Sequence, residues 1–313
     1  MDTPIEVATT PWRWRGMQDA DALCRQAEQA EAMGFHSFWL PENHFGERGA
    51  IPAPLMSLAA VAGRTSRIRL GCTSYLLPIR NPVLAAEEVA VLDQLCGGRL
   101  VLGLGRGIQD AVFKAFDIDV ADKRKLFREN LELMRSAWRG EPFAHDKQGT
   151  PVILSPLPLQ QPAPPLWVAA FGPLALKQVA SLGLPYLASP LEALATLESN
   201  YRAFNEQVLE AGHPPVLTVP VMRSVFVCEQ AAQAARVREA MRSMLPPSPR
   251  DGEAGIDERV IVGDAAYVKD QLQAYRERLA LTHLIVRAGG PGIEEGDQLR
   301  SHEQLVDIVS QCR

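Results

Sequence analysis

The chain has 313 residues, 47% of them hydrophobic and 22% charged, which is enough apolar material for a sizeable core and excludes a disordered or collagen-like chain. With 32 Lys+Arg against 37 Asp+Glu, a formal net charge of -5, it has no overall positive field to hold a nucleic-acid backbone. Five cysteines (Cys24, Cys72, Cys96, Cys228 and Cys312), without C-x-x-C spacing, point to reduced thiols and a cytoplasmic location, and no apolar run is long enough for a signal peptide or a bilayer span.

In chain order, short aliphatic or β-branched runs predict eight strands, at residues 5–8, 37–40, 68–73, 99–103, 166–169, 186–188, 218–227 and 284–286. Helical periodicity falls between most of them, at 20–33, 55–63, 83–95, 124–138, 174–182, 191–209, 231–244 and 265–279, with a last helix at 301–309. Strand followed by helix, repeated, implies parallel pairing. Eight such units predict an α/β fold of the (β/α)8 TIM-barrel type, a single domain over 1–313, with an open doubly wound sheet as the alternative. Gly34, Gly97-Gly98 and Gly183 stand where helices need a left-handed stop. Two stretches break the alternation, the proline-rich 140–165 and 245–259; both are expected to follow strands and overhang the C-terminal face.

Three places carry polar residues directly after predicted strands. Trp39-Leu40-Pro41-Glu42-Asn43-His44-Phe45 ends the second strand with a carboxylate, an amide and an imidazole, either at the barrel mouth or as a turn capping the next helix. His44 is the best acid/base candidate, whereas His36 precedes its strand and reads as structural. Leu102-Gly103-Leu104-Gly105-Arg106-Gly107 lacks the third glycine of a dinucleotide fingerprint, because that position is Ile108, so the Rossmann reading is rejected. What remains is Arg106 between small neighbours, able to grip an anion or to pair Asp110. Ala170-Phe171-Gly172-Pro173-Leu174 opens a helix whose first amides suit an anion. Trp12 and Trp14 with Arg13 and Arg15 either line a pocket or form a lid or subunit contact. No metalloprotease, nucleophile-elbow, Walker or metal-ligand spacing is present, so no metal is expected and the chemistry must come from a bound cofactor or scattered polar residues.

The chain resembles the bacterial-luciferase-like flavin monooxygenases over essentially its whole length. Four stretches carry the resemblance: Gly34-Phe35-His36-Ser37-Phe38-Trp39 and on to Phe45; Ile68-Arg69-Leu70-Gly71 through Leu77-Pro78-Ile79-Arg80-Asn81-Pro82 to Leu92-Asp93-Gln94-Leu95; Gly98-Arg99-Leu100 through Gly107; and Pro158-Leu159-Gln160-Gln161-Pro162 to Trp167. A weaker echo runs from Val262-Gly263-Asp264 to His283-Leu284-Ile285-Val286. The resemblance implies reduced FMN as co-substrate, dioxygen activated as a peroxyflavin, a small organic substrate, a separate flavin reductase and a homodimer. It implies that Arg106 grips the flavin phosphate, and that the helix start with Ala170, Phe171, Gly172 and Leu174 completes that grip without the usual Ser/Thr hydroxyls. It implies a non-prolyl cis peptide at Thr73-Ser74 beneath the flavin ring. Glu42, Asn43 and His44 match the catalytic E-H-H-F pattern, with Asn43 in place of its first histidine, which removes a group able to transfer protons near neutral pH. Relatives of this kind also include 5-deazaflavin enzymes that transfer hydride, which gives the alternative cofactor. A catalytically idle flavin-binding barrel is the third reading.

Overall fold

The computed structural model describes residues 4–14, 16, 19–45, 49–245, 250–252 and 254–311. Arg15, Cys312 and parts of the 245–259 stretch lie outside the described residues. The elements in chain order are β1 (Glu6–Thr9), α1 (Ala20–Met33), β2 (Ser37–Leu40), α2 (Pro54–Ala62), β3 (Arg69–Leu76), α3 (Pro82–Leu95), β4 (Leu100–Gly105), α4 (Asp110–Ala115) and α5 (Lys123–Trp138). There follow β5 (Ala144–His145), β6 (Pro151–Val152), β7 (Leu166–Ala169), α6 (Pro173–Leu182), β8 (Tyr186–Leu187), α7 (Leu194–Glu210), β9 (Pro220–Val227), α8 (Ala231–Met244), β10 (Val260–Gly263), α9 (Ala265–Leu279), β11 (His283–Val286) and α10 (Glu295–Gln311).

Two compact units result, one of Met1–Trp14, Arg25–Trp39 and Ala170–Arg313, the other of Arg15–Cys24 and Leu40–Ala169. In the first, β1 pairs in parallel with β2 (Ala8 opposite Ser37) and with β11 (Glu6 opposite His283), and β11 pairs with β9. The long β9 serves two neighbours: Pro220 to Arg223 face β11, and Ser224 to Val227 face β10. A parallel bridge joins Ala188 to Val221. Phe226, Val237, Met241 and Val262 close a buried cluster beneath α8. In the second unit, β3, β4 and β7 form a parallel run, Leu70 opposite Leu100 and Leu102 opposite Leu166, and β4 is buried at every position. Continuous apolar strands of this kind belong to a sheet covered on both faces.

Local chemistry explains the element ends. Asn81 caps α3 through Val83 N and Leu84 N, with Pro82 at its first turn, and Asp264 caps α9 through Tyr267 N. Gly34, Gly97 and Gly183 all take the positive φ expected of helix stops.

The structure departs from the sequence reading at four places. Val260–Gly263 is a fully buried strand, β10, where the sequence reading places no strand and only a weak family echo begins, at Val262. The short helix α4 is likewise absent from the sequence-based expectation. The stretch 140–165 follows helix α5, not a strand, and carries the small β5–β6 hairpin before it enters β7. It lies at the N-terminal ends of β3 and β4, because Gln160 donates to the fully buried Asp93 carboxylate (2.8 and 2.7 Å) and to Leu100 O, and accepts from Arg69. The 245–259 stretch also follows a helix, α8. Arg250 bonds the buried Glu192 (2.8 Å) and Asn200 (2.7 Å), and Asp251 accepts from Ala193 N, so this segment is fastened to the loop that leaves β8.

Trp12 is a core residue, 8% exposed, with its ring edge-on to His302 at 5.0 Å and its backbone N–H donated to Gln26, while Arg13 pairs Glu295 at the surface. His36 is structural: its backbone N–H donates to Val7 O and its ring contacts Ser37 Oγ. The four described cysteines are buried, and no helix among the described residues is long and apolar enough to cross a membrane.

Candidate functional site

The polar cluster that leaves β2 is organised around Glu42. Its carboxylate has no exposed surface. Oε1 lies 2.6 Å from His44 Nε2 and accepts from Arg80 Nη1 at 2.8 Å, and Oε2 accepts from Leu76 N at 2.9 Å. Arg80 stacks on the Tyr75 ring, 3.8 Å to its centroid, and Tyr75 donates its hydroxyl to Glu88 at 3.0 Å. Burial pulls the Arg80 guanidinium down, but Tyr75 and Glu42 beside it outweigh that and hold it above its ordinary value, fully charged. Burial also pushes the Cys72 thiol well up, with Glu42 adding to the rise, so Cys72 stays a thiol.

His44 itself is almost enclosed, with 6% of its side chain exposed, and Phe116 packs edge-on against it at 5.3 Å. Phe45, in the left-handed region at φ 59°, leaves its ring more than half exposed beside both. Asn43 faces other work. Its backbone N–H donates to Ile51 O and its side-chain oxygen accepts from Ile51 N at 2.8 Å, closing the loop between them. His44, Tyr75, Arg80, Glu88, Met56 and Phe116 line a cavity of about 450 Å³ within the second unit, beside α2 and α3.

The end of β3 holds the Thr73–Ser74 peptide bond in the cis form, at a point where the β3–β4 register shifts between Cys72 and Tyr75. Thr73 Oγ1 is buried without a hydrogen-bond partner. Opposite the bulge stands Gly105, where a Cβ would meet Ser74 Oγ at 2.0 Å and Ser74 Cβ at 2.9 Å. Gly105→Ala is therefore expected to cost about 1–3 kcal/mol, read as a lower urea midpoint at unchanged slope, because the bulge must move to admit one methyl group.

Arg106 follows β4 directly, flanked by Gly105 and by Gly107 at φ 74°. Burial lowers its guanidinium from the ordinary value and the charge of Arg124 lowers it further. Arg124 is a residue that sequence reasoning missed. It stands in the first turn of α5 among Lys123-Arg124-Lys125, and cations there oppose the helix macrodipole, a signal that asks for an anion nearby. Arg80, Tyr75 and Glu88 were missed as well, since their link to Glu42 spans 38 positions between Glu42 and Arg80 and has no local signature.

Ala170, Phe171, Gly172 and Leu174 belong to the other unit. Gly172, at φ 89°, is the N-cap of α6 with no side-chain cap, as the sequence anticipated. Ala170 is buried, whereas Phe171 and Leu174 are exposed.

Known proteins share this sequence pattern and this fold. The family model described as luciferase-like monooxygenase matches residues 5–282. The chain belongs to that family. A relative from Acinetobacter baylyi, the oxygenase component of a flavin-dependent trigonelline monooxygenase, is 26% identical over 69% of this chain and 62% of its own. The chain spans between 52% and 62% of the length of several curated relatives it matches. Among solved structures, the oxygenating constituent of 3,6-diketocamphane monooxygenase from Pseudomonas putida, in complex with FMN, superposes with a TM-score of 0.81 at 20% identity over 99% of this chain and 98% of its own. A coenzyme F420-dependent tetrahydromethanopterin reductase from Methanopyrus kandleri superposes at 0.75 with 19% identity, over 99% of both chains. These likenesses establish the shared α/β fold.

Proposed function

We propose that this luciferase-like chain is a flavin-dependent monooxygenase that uses reduced FMN and dioxygen to oxygenate a small organic substrate, with its strands closed as one (β/α)8 barrel over 1–313. The observation that carries the reading is Arg106, a half-buried guanidinium between two glycines at the end of β4, crowded by the charge of Arg124. A phosphate fits there, because an anion relieves the mutual repulsion of two cations. The rest of the flavin fits the bulge of β3: Gly105 keeps the surface flat, and Thr73 Oγ1 is a buried hydroxyl in want of a partner.

When bound, reduced flavin supplies the electrons and the oxygen chemistry, so the protein needs no metal or nucleophilic triad. Arg106 and Arg124 hold the phosphate. Thr73 and Ser74 support the ring. His44, held by Glu42, manages a proton, and the rings of Phe45 and Phe116 keep water from it. Asn43 acts by bracing the loop that carries His44. His44→Ala is expected to lower substrate oxygenation by about 10²–10⁴-fold while reduced-FMN affinity changes little, a split that assigns His44 to the chemistry. Equal turnover by parent and variant would make His44 structural.

Reduced FMN comes from a separate reductase, as the words "oxygenase component" in the Acinetobacter relative support. A homodimer is supported by the exposed apolar stripe of Leu84, Val91 and Leu95 on α3, beside Met56 of α2. The second reading, hydride transfer with a 5-deazaflavin, is favoured by the shared fold of the F420-dependent reductase. Anaerobic titration with reduced FMN and, in parallel, a reduced 5-deazaflavin separates the two, followed by rapid mixing with oxygen. Tight FMN binding with an oxygen-dependent spectral intermediate supports the monooxygenase. Preference for the deazaflavin reverses the order, and FMN binding with no oxygen chemistry supports the idle barrel.

A further inference from the structure

The stretch Leu77-Pro78-Ile79-Arg80-Asn81-Pro82 has no part in the function proposed above, yet the structure ties it to His44. Glu42 offers two carboxylate oxygens in a place with no exposed surface, and three donors meet them: Leu76 N on Oε2, Arg80 Nη1 and His44 Nε2 on Oε1. Arg80 cannot drift from this position. Its Nη1 also donates to Leu76 O (2.8 Å), its guanidinium lies on the Tyr75 ring, and its own carbonyl, with that of Leu77, accepts from the buried Asn130 of α5 (3.1 Å each).

An ionised carboxylate only accepts hydrogen bonds, so the 2.6 Å contact requires the proton of His44 to sit on Nε2. That leaves Nδ1 as the ring position at which a proton can be taken or given. A permanent cation on the same oxygen offsets the charge of the carboxylate. Without that cation, a lone buried carboxylate beside the imidazole would hold a second proton on the ring.

We propose that Arg80 is a positioning residue: it holds Glu42 where the carboxylate fixes the proton of His44 on Nε2, and by offsetting the carboxylate's charge it leaves Nδ1 free to exchange a proton during catalysis. This rests on the reading of His44 as the proton-handling group and deepens it. The charged or titratable groups that the structure joins to the pair include Tyr75, which stacks under Arg80 and bonds Glu88, and Cys72; the Phe45 and Phe116 rings that pack on His44 carry no charge.

The test is ¹⁵N NMR of the histidine rings in the full chain without cofactor, titrated with pH, with His44→Gln identifying the His44 signals. In the parent, His44 is expected to show the Nε2–H tautomer. In Arg80→Met, which keeps the stem and removes the charge, the midpoint of its titration is expected to rise by about one pH unit or more, because Glu42 is no longer neutralised. Arg80→Lys is expected to hold the midpoint near the parent's, and Tyr75→Phe, which keeps the ring under Arg80, to do the same. A parent ring protonated on Nδ1 overturns the proposal, as does an Arg80→Met midpoint equal to the parent's. Should Arg80→Met not fold, the parent tautomer and Arg80→Lys decide: a rise in Arg80→Lys as large as that expected for removal of the charge counts against it. If the NMR results hold while His44→Ala oxygenates substrate as fast as the parent, the positioning stands and the catalytic reading of His44 falls.

Discussion

Arg106→Ala is expected to weaken binding of reduced FMN by about 100-fold, roughly 2.7 kcal/mol, the scale of removing a charge-assisted hydrogen bond from a partly desolvated site. Riboflavin, which lacks the phosphate, supplies the control: parent and variant are expected to bind it alike. A riboflavin affinity that falls as far as the FMN affinity would show Arg106 shaping the protein rather than gripping the anion. Arg106→Lys is expected to recover part of the affinity, since a point charge replaces a planar fork. Arg124→Ala is expected to act in the same direction with a smaller effect, because Arg124 reaches the site through the field it shares with Arg106. Raising the salt concentration is expected to narrow the difference between parent and variants.

The second large effect concerns stability. His302 is fully buried in α10, between the rings of Trp12 and Phe35, with Nε2 3.3 Å from Thr9 Oγ1 and Nδ1 without a partner. Burial lowers its pKa from 6.5 to about 3. Between those two values the unfolded chain carries a proton on His302 that the folded chain does not, so stability is full above pH 6.5 and falls as the pH drops toward 3. At about 1.36 kcal/mol per pH unit, this residue alone is expected to remove about 2 kcal/mol between about pH 7.5 and pH 5. His302→Phe is expected to abolish that share of the acid sensitivity, since an aromatic ring suits the cluster and Thr9 Oγ1 still donates to Thr10 O. Urea unfolding of both proteins at the two pH values measures it. Equal destabilisation of the two proteins by acid would mean that other groups carry the sensitivity.

Much of this architecture was legible in the chain. All eight predicted strands form, because uninterrupted runs such as Leu100-Val101-Leu102 fit a sheet covered on both faces and little else. Helices with a capping signal were bounded within a residue or two, as at Asn81-Pro82 for α3 and Asp264 for α9. Val260–Gly263, four apolar residues directly after the irregular 245–259 stretch, was not read as a strand although runs as short were read so elsewhere. Proline content misled at 140–165, where the prolines mark a traverse from α5 to β7 and the buried Asp93 pins the path through Gln160.

The site was legible only where its residues are neighbours in sequence. Glu42 and His44, two positions apart, were found together and are in contact. Arg80 was in plain view but unassigned, because its role exists only once β3 has carried it back to Glu42. A cis bond between two non-proline residues has no local sequence signal, so Thr73-Ser74 came through resemblance rather than through the chemistry of threonine or serine. Arg124 had a local signal, cations at a helix start, and that pattern merits attention in related chains.

The strand pairing of the first unit bears on how the chain is made. One edge of β1 meets β2 within the first forty residues, but its other edge waits for β11, where Glu6 stands opposite His283. At ribosomal speeds of about 5–20 residues per second, that edge stays open for on the order of tens of seconds after β1 has left the exit tunnel. An unpaired edge beside the buried residues Val7 and Ala8 is a template for wrong partners during that interval. The stretch from Leu40 to Ala169 is continuous in sequence and completes its own sheet before β11 has been made. Correct folding of this sheet thus depends on keeping that edge of β1 unpaired until β11 has been made.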